Sequence, residues 1–166
     1  DSTIAEFETS VSKMGDNDVA AMFWAASCWA KWIDMNRDDP EAIAQLSRAT
    51  ALMQRVIDLD DTFYYGGAHM FFGVYYGSRA PSIGGNFEKS KQHFDRAREI
   101  TDGRLLIPDL LQAQYLARQQ FDKEQFQRLL NGIIEAPDDL MPELALQNQI
   151  AKRKAALLLK KEQEWF

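Results

Sequence analysis

The sequence predicts an all-α fold of stacked helical hairpins closed by a C-terminal capping helix, and three observations predict it. Apolar residues recur at spacings of three and four through most of the chain, capping residues with Pro and Gly punctuate it at helix-length intervals, and one apolar pattern returns 41 positions later. The composition agrees. Of 166 residues, 46% are hydrophobic and 27% charged, with only 5 Pro and 9 Gly, the balance of an ordered helical protein and not of a disordered chain. This length suits a single domain over residues 1–166, able to bury a continuous core without disulfide or metal staples.

The first helix carries Ile4, Phe7, Val11 and Met14 on one stripe and is expected to end at Gly15. Asp16 is a cap for the next helix, from about Asp18 to Met35. There Val19, Met22, Phe23, Ala26, Ala30 and Ile33 form one stripe and Trp24, Cys28, Trp32 and Met35 a second, so the helix is expected in the middle of a bundle. Asp39 and Pro40 start a helix through Leu59 with Ala42, Leu46, Ala49, Met53, Val56 and Leu59 on one face, completing a first hairpin. The second hairpin pairs Thr62–Ala80 with Asn86–Ile100 across a break at Pro81, Ser82, Gly84 and Gly85. The third pairs Pro108–Gln120 with Asp122–Glu135, where Asp122 and Gln125 have capping-box spacing, and a last helix from Pro142 to about Glu164 caps the stack.

The repeat supports this division. Met53, Val56 and Leu59 return as Phe94, Ala97 and Ile100, with small Ala49 matched by Ser90. A hairpin of this kind exposes an apolar face until a neighbour stacks on it, and repeat periods of about 34–45 residues indicate a TPR-like solenoid.

The chemistry-bearing residues exclude more than they suggest. With 19 basic against 25 acidic residues the net charge is −6, the wrong sign for a nonspecific nucleic-acid binder. The most apolar stretch, Val19 to Ala30 and interrupted by Ser27, is too short for a membrane span of about 20 residues. No secretory leader opens the chain at Asp1, so any targeting segment is expected to have been removed or never to have existed. Cys28 has no partner for an intramolecular disulfide and no activating base beside it, and reads as a buried small hydrophobe. The two histidines lack neighbouring ligands at metal spacing. His93, on a charged helix, reads as a solvated surface residue; His69 reads as a core or interface residue, with a cavity wall as the alternative. No nucleophile elbow, phosphate loop or catalytic carboxylate pair is present, so no enzyme, cofactor or metal site is expected.

One segment stands apart. From Tyr64 to Gly77, two aromatics followed by glycine occur three times, placing Tyr64, Phe71 and Tyr75 on one helical stripe, Tyr65, Phe72 and Tyr76 on the next, and Gly66, Gly73 and Gly77 on a third. Each interior glycine costs roughly 1 kcal/mol of helix propensity relative to alanine, so close packing or function must compensate. The glycine face lets another backbone approach. The aromatic faces fit either of two readings, a ring-rich core or a groove or tunnel for an apolar or amphipathic organic-acid ligand, with His69 in its wall and Arg79 near its mouth to meet an anionic head group. In the last helix, Asn148 shares the stripe of Leu144, Ala151, Ala155 and Leu158 and reads as a residue that satisfies buried backbone groups, while Arg153 reads as a buried ion-pair or interface residue. Trp165 and Phe166 either dock the C-terminus or stay exposed.

The long turn Arg79-Ala80-Pro81-Ser82-Ile83-Gly84-Gly85-Asn86-Phe87-Glu88-Lys89 resembles an insertion in the TatT family, the TPR-containing accessory proteins of TRAP transporters. Ser90, Phe94, Ala97 and Ile100 after it, then Tyr115, Phe121, Asp122, Phe126, Leu129 and Leu130, and finally Asn148, Ala151, Arg153, Ala155, Ala156, Leu157 and Leu158 extend the resemblance over roughly Tyr64 to Phe166. The resemblance implies a periplasmic protein, often lipid-anchored through a residue upstream of Asp1, that forms a homotrimer and works beside the transporter's solute-binding subunit. The expected function is a transport-associated scaffold that binds that subunit and a small ligand by noncovalent capture; the alternatives are a general TPR-like interaction scaffold and an enzyme with an unrecognised site.

Overall fold

The computed structural model describes residues 3–166, and all regular structure among them is helical. The chain clusters into two compact units, Asp1–Phe71 and Phe72–Phe166.

In the first unit, α1 (Ile4–Val11) begins at a complete capping box: the Glu6 amide donates to Thr3 Oγ1 at 3.3 Å and the Thr3 amide donates to Glu6 Oε2 at 2.8 Å. The helix ends at Val11, short of the expected Gly15. Beyond a 3-10 turn at Asp16–Asp18 comes α2 (Val19–Met35); the capping contact at this turn belongs to Asp18, whose carboxylate accepts from the Gly15 amide at 2.9 Å, and not to Asp16. Next come α3 (Pro40–Ala44), with Pro40 at its first position and the Asp39 carboxylate accepting from the Glu41 amide, and α4 (Leu46–Asp60).

The middle element of this unit is α4, not α2. Both α1 and α2 pack against α4 through Ala49, Leu52, Met53 and Val56, and Arg55 ties α4 to the turn after α1 by donating to the Met14 carbonyl at 3.0 and 2.7 Å. On α2 only Val19, Met22, Phe23, Ala26 and Ile33 are buried. The second stripe faces outward: Trp24 and Trp32 are each 47% exposed, Met35 is 73% exposed, and Cys28 is exposed with them. Apolar residues on two sides therefore did not imply burial on two sides, and Cys28 is not the buried hydrophobe its neighbours suggested. At the end of the unit α5 (Phe63–Gly77) begins.

In the second unit the last turns of α5 lead through a 3-10 turn at Pro81–Ile83 to α6 (Phe87–Ile100), capped by Asn86, whose Oδ1 accepts from the Lys89 amide at 2.9 Å. The chain continues as α7 (Ile107–Leu111), a π-helical stretch (Gln112–Ala117) and α8 (Arg118–Gln120), which ends at Phe121 in the left-handed conformation (φ 56). After the Asp122 cap, confirmed by its contact with the Gln125 amide at 2.8 Å, come α9 (Lys123–Glu135), a 3-10 turn at Pro142–Leu144 and α10 (Ala145–Lys160). The core gathers Leu106, Leu110, Ala113, Ala117, Phe126, Leu130, Ile133, Ala151 and Ala155. Trp165 and Phe166 dock the chain end on Phe126, at ring centroid distances of 5.9 and 5.3 Å, and the Arg118 guanidinium lies 3.6 Å over Trp165.

Two polar devices hold this packing in register. Asn148, 1% exposed, accepts from the Leu106 amide and donates to the Arg104 carbonyl, both at 2.9 Å, so one side chain serves two backbone groups just before α7. Arg98 of α6 reaches Asp95, Asp109 and Gln112, and Gln112 donates on to Gln125 at 3.0 Å, joining α6, α7, the π segment and α9. Arg153 stands exposed on α10, so of its two expected roles the buried ion pair falls away.

Candidate functional site

The aromatic segment does not begin as the helical stripes require. Tyr64, Tyr65 and Gly66 have φ values of 47, 60 and 73°, three successive left-handed residues, and right-handed helix resumes only afterwards. Tyr64, Tyr65 and Gly66 therefore do not continue the faces of Phe71 and Tyr75, Phe72 and Tyr76, and Gly73 and Gly77. A non-glycine residue in this region costs roughly 1–2 kcal/mol, and packing of the Tyr64 ring offsets part of it. That ring lies 4.8 Å from Trp24, 5.4 Å from Phe23 and 5.9 Å from Tyr65, and Tyr64 stays 46% exposed. The adjacent pair Gly66-Gly67 was the signal for a break that the stripe pattern masked.

His69 is buried in the first unit, with Nε2 3.5 Å from an Asp61 carboxylate oxygen, and Phe71 is half-buried. The first unit also holds a groove of about 490 Å³ lined by Asp16, Asn17, Val19, Ala20, Leu59, Asp60 and Phe63. Its walls take Phe63 from α5 but none of the candidate ligand residues.

In the second unit the glycine face does what its pattern required. A methyl group on Gly73 would lie 2.6 Å from the Phe94 ring, and one on Gly77 would lie 2.5 Å from Ser90 Oγ. Because both positions are bare, α6 closes on α5 until the Ser90 hydroxyl donates to the Gly73 carbonyl at 2.7 Å, a fully buried bond. The rings are thereby forced to the flank of the contact. There Phe72, 4% exposed, stacks on His93 at 5.2 Å and on Tyr76 at 6.0 Å, Tyr76 stacks on His93 at 5.9 Å, and Tyr75 meets Tyr76 edge-on at 5.0 Å. His93 is thus half-buried among rings and not a solvated residue of a charged helix. Its position three after Ser90, the residue that seats on the glycine face, was the signal that could have found it.

Two cations lie on these rings. The Arg79 guanidinium sits 3.9 Å from the Tyr75 centroid and Lys89 Nζ sits 5.3 Å from that of Tyr76. Arg79 Nε and Nη2 also donate to the Tyr75 carbonyl at 3.1 and 2.9 Å, so Arg79 caps the end of α5 as well as covering a ring. The turn behind it is closed by Gly84 (φ 89), by Gly85, whose α-carbon lies against the Arg79 carbonyl where no side chain fits, and by the Asn86 amide donating to the Tyr76 carbonyl at 3.0 Å. The second unit thus gathers Tyr75, Tyr76, His93, Arg79 and Lys89 around buried Phe72 into one half-exposed aromatic and cationic surface.

This long turn, with the helix after it and the terminal helix of Asn148 to Leu158, carried the resemblance, and the family model for the TRAP transporter T-component matches residues 1–166, the whole chain. The chain belongs to the TRAP transporter T-component family. That family is a transporter component and not an enzyme family, which gives the chain a transport-associated role. The match also takes in the helices before Pro40, where the sequence offered helical layout alone. Comparison with curated proteins gives no match. Among the described residues no helix is long and apolar enough to cross a membrane.

Proposed function

We propose that this chain is a periplasmic helical scaffold of a TRAP transporter that docks the solute-binding subunit and takes up an apolar or amphipathic organic-acid ligand on its aromatic segment. The observation that carries the proposal is the full-length family match. We take the hairpins as a TPR-like solenoid that functions as one domain, assembled as a homotrimer and held at the membrane by a lipid anchor upstream of Asp1; the family resemblance supports these features. The cluster of Phe72, Tyr75, Tyr76 and His93 supports the ligand reading, because rings supply contact area at low conformational cost while Arg79 and Lys89 bring positive charge to an organic acid. We also propose Tyr64, Tyr65, His69 and Phe71 of the first unit as ligand-contacting residues in their own right.

The test is titration of the purified chain with its cognate solute-binding subunit by calorimetry at low and physiological salt, alongside light scattering for the assembly. Association at both salts with a trimeric mass supports the proposal. Absence of association at either salt leaves a general interaction scaffold as the better reading. For the ligand, Tyr75→Ala and Arg79→Ala are compared using a fluorescent fatty acid and its neutral ester. Loss of both probes in the first variant and chiefly of the acid in the second is expected; unchanged binding in both folded variants refutes the ligand reading.

A further inference from the structure

We propose that the outward face of α10 is a docking surface for an anionic lipid bilayer. Leu146, Ile150, Arg153 and Leu157 recur at spacings of four, three and four, on the side of α10 opposite buried Asn148, Ala151 and Ala155. Leu146 is 70% exposed, Ile150 41% and Leu157 59%, so the helix turns an aliphatic stripe to solvent as well as one to the core. Exposed Arg153 stands within that stripe, with exposed Lys154, Lys160 and Lys161 at its edges. From Ala145 to Lys161 there are five basic residues and no acidic one, in a chain whose net charge is −6. Lys152 is turned away to the Ala136 carbonyl and Asp138, whereas none of the other four takes part in the ion pairs of the described residues.

The occupant follows from the chemistry of the face. A second copy presenting the same face would bring Arg153 and its lysines against their own counterparts, a like-charge contact. A three-fold contact through this face would instead make the α10 charge variants dissociate the assembly in light scattering, a result that overturns the proposal. Protein interfaces are depleted in lysine and enriched in aromatic residues at their cores, whereas this face has three lysines and no ring. A bilayer surface suits it. The three aliphatic side chains enter the headgroup and acyl boundary while the long Arg and Lys stems keep their charges among the phosphates. Each cation near an anionic membrane strengthens binding about fivefold, so the face gives reversible, salt-sensitive adhesion, not insertion.

Flotation of the full chain with vesicles tests it, using equal parts phosphatidylglycerol and phosphatidylcholine against phosphatidylcholine alone, at low and physiological salt. Binding to the anionic vesicles only, weaker at higher salt, is expected. The triple variant Arg153→Gln, Lys154→Gln, Lys160→Gln should weaken it about a hundredfold, and Leu157→Asp should also weaken it. A control triple, Lys13→Gln, Lys31→Gln, Lys91→Gln, removes the same charge elsewhere and should leave binding near the parent value. All positions are exposed, and circular dichroism checks that each variant is folded. Failure of the parent to float with anionic vesicles at low salt overturns the proposal, as do equal effects of the two triples. Loss of association with the solute-binding subunit in the α10 triple, with vesicles ignored by the parent, would make the face a protein surface and overturn it too.

Discussion

Gly73→Ala and Gly132→Ala make the same chemical change in two helices of the second unit and should move stability in opposite directions. At Gly73 the new methyl meets three atoms of the Phe94 ring at 2.6–2.8 Å, and Phe94 is fully buried with nowhere to retreat. Overpacking of a closed core costs about 1–3 kcal/mol. Displacing α6 also loosens the buried bond from Ser90 to the Gly73 carbonyl, at a further cost of about 1 kcal/mol. Alanine returns about 1 kcal/mol of helix propensity, so the net loss is about 1–3 kcal/mol. At Gly132 nothing lies within 4 Å of the added methyl, and only the propensity gain remains, about 0.5–1 kcal/mol. Thermal melts followed by far-ultraviolet circular dichroism read both, at about 2–4 °C per kcal/mol for a chain of this size. A Gly73→Ala protein as stable as the parent would refute the close-approach account of the glycine face, whatever Gly132→Ala does.

Three further outcomes follow from particular contacts. Asn148→Leu removes the partners of the Leu106 amide and the Arg104 carbonyl together and should cost about 2–5 kcal/mol in urea unfolding, with Asn148→Asp no better because its carboxylate lacks the amide donor. Phe121 is 75% exposed at a left-handed helix end, so Phe121→Gly should stabilise by about 1 kcal/mol, measured by the same melts. The hydrogen bond from Lys123, aided by Gln127, holds the Glu162 carboxyl below its ordinary range, so folding gains from this contact above the unfolded carboxyl value and loses it as pH falls through the lower folded one. The protection of the amides of residues 158–166, referred to the intrinsic exchange rate at each pH, should therefore fall below about pH 4 in the parent, and Glu162→Gln should show the lower protection already at pH 7.

Helix positions and caps were legible in the sequence because they depend on neighbours three and four residues away. Asp39 with Pro40, Asn86 before Phe87 and Asp122 with Gln125 each announced a helix start locally, and each start lies there. The stripe of Ser90, Phe94 and Ala97 was equally readable, since it is the buried face of α6. What failed depended on partners distant in sequence. Whether Trp24, Cys28 and Trp32 are covered is decided by what packs on α2, and α4 covers only the other side. The π-helical stretch at Gln112–Ala117 has no local signature either: its alanine and leucine fit an ordinary helix, while Gln112 answers to Arg98 and Gln125 from two other helices.

The candidate site shows the same division within a single segment. Its spacing of seven and four is a true helical spacing from Phe72 to Gly77 and a coincidence at Tyr64 to Gly66, where the backbone is left-handed. In the helical part, Gly73 and Gly77 draw α6 close, and the closer the backbones come, the less room remains between them for rings. Phe72, Tyr75 and Tyr76 must then spread along the flank, where His93 and Lys89 of α6 and Arg79 of the following turn meet them. A surface of stacked rings edged by two cations is therefore a consequence of the glycine contact, and any substitution that pushes α6 outward should disturb the rings before it touches them. Gly77→Ala separates these effects: its methyl would lie 2.5 Å from Ser90 Oγ and 3.4 Å from Ser90 Cβ, so α6 must give way by a few tenths of an ångström at Ser90 while Phe94 keeps its seat. Its expected signature is a shift of the Tyr76 and His93 ring resonances in an NMR spectrum, with a smaller loss of stability than Gly73→Ala. Ring resonances unchanged from the parent in a folded Gly77→Ala protein would mean that the aromatic surface is held by its own stacking and not by the approach of the two helices.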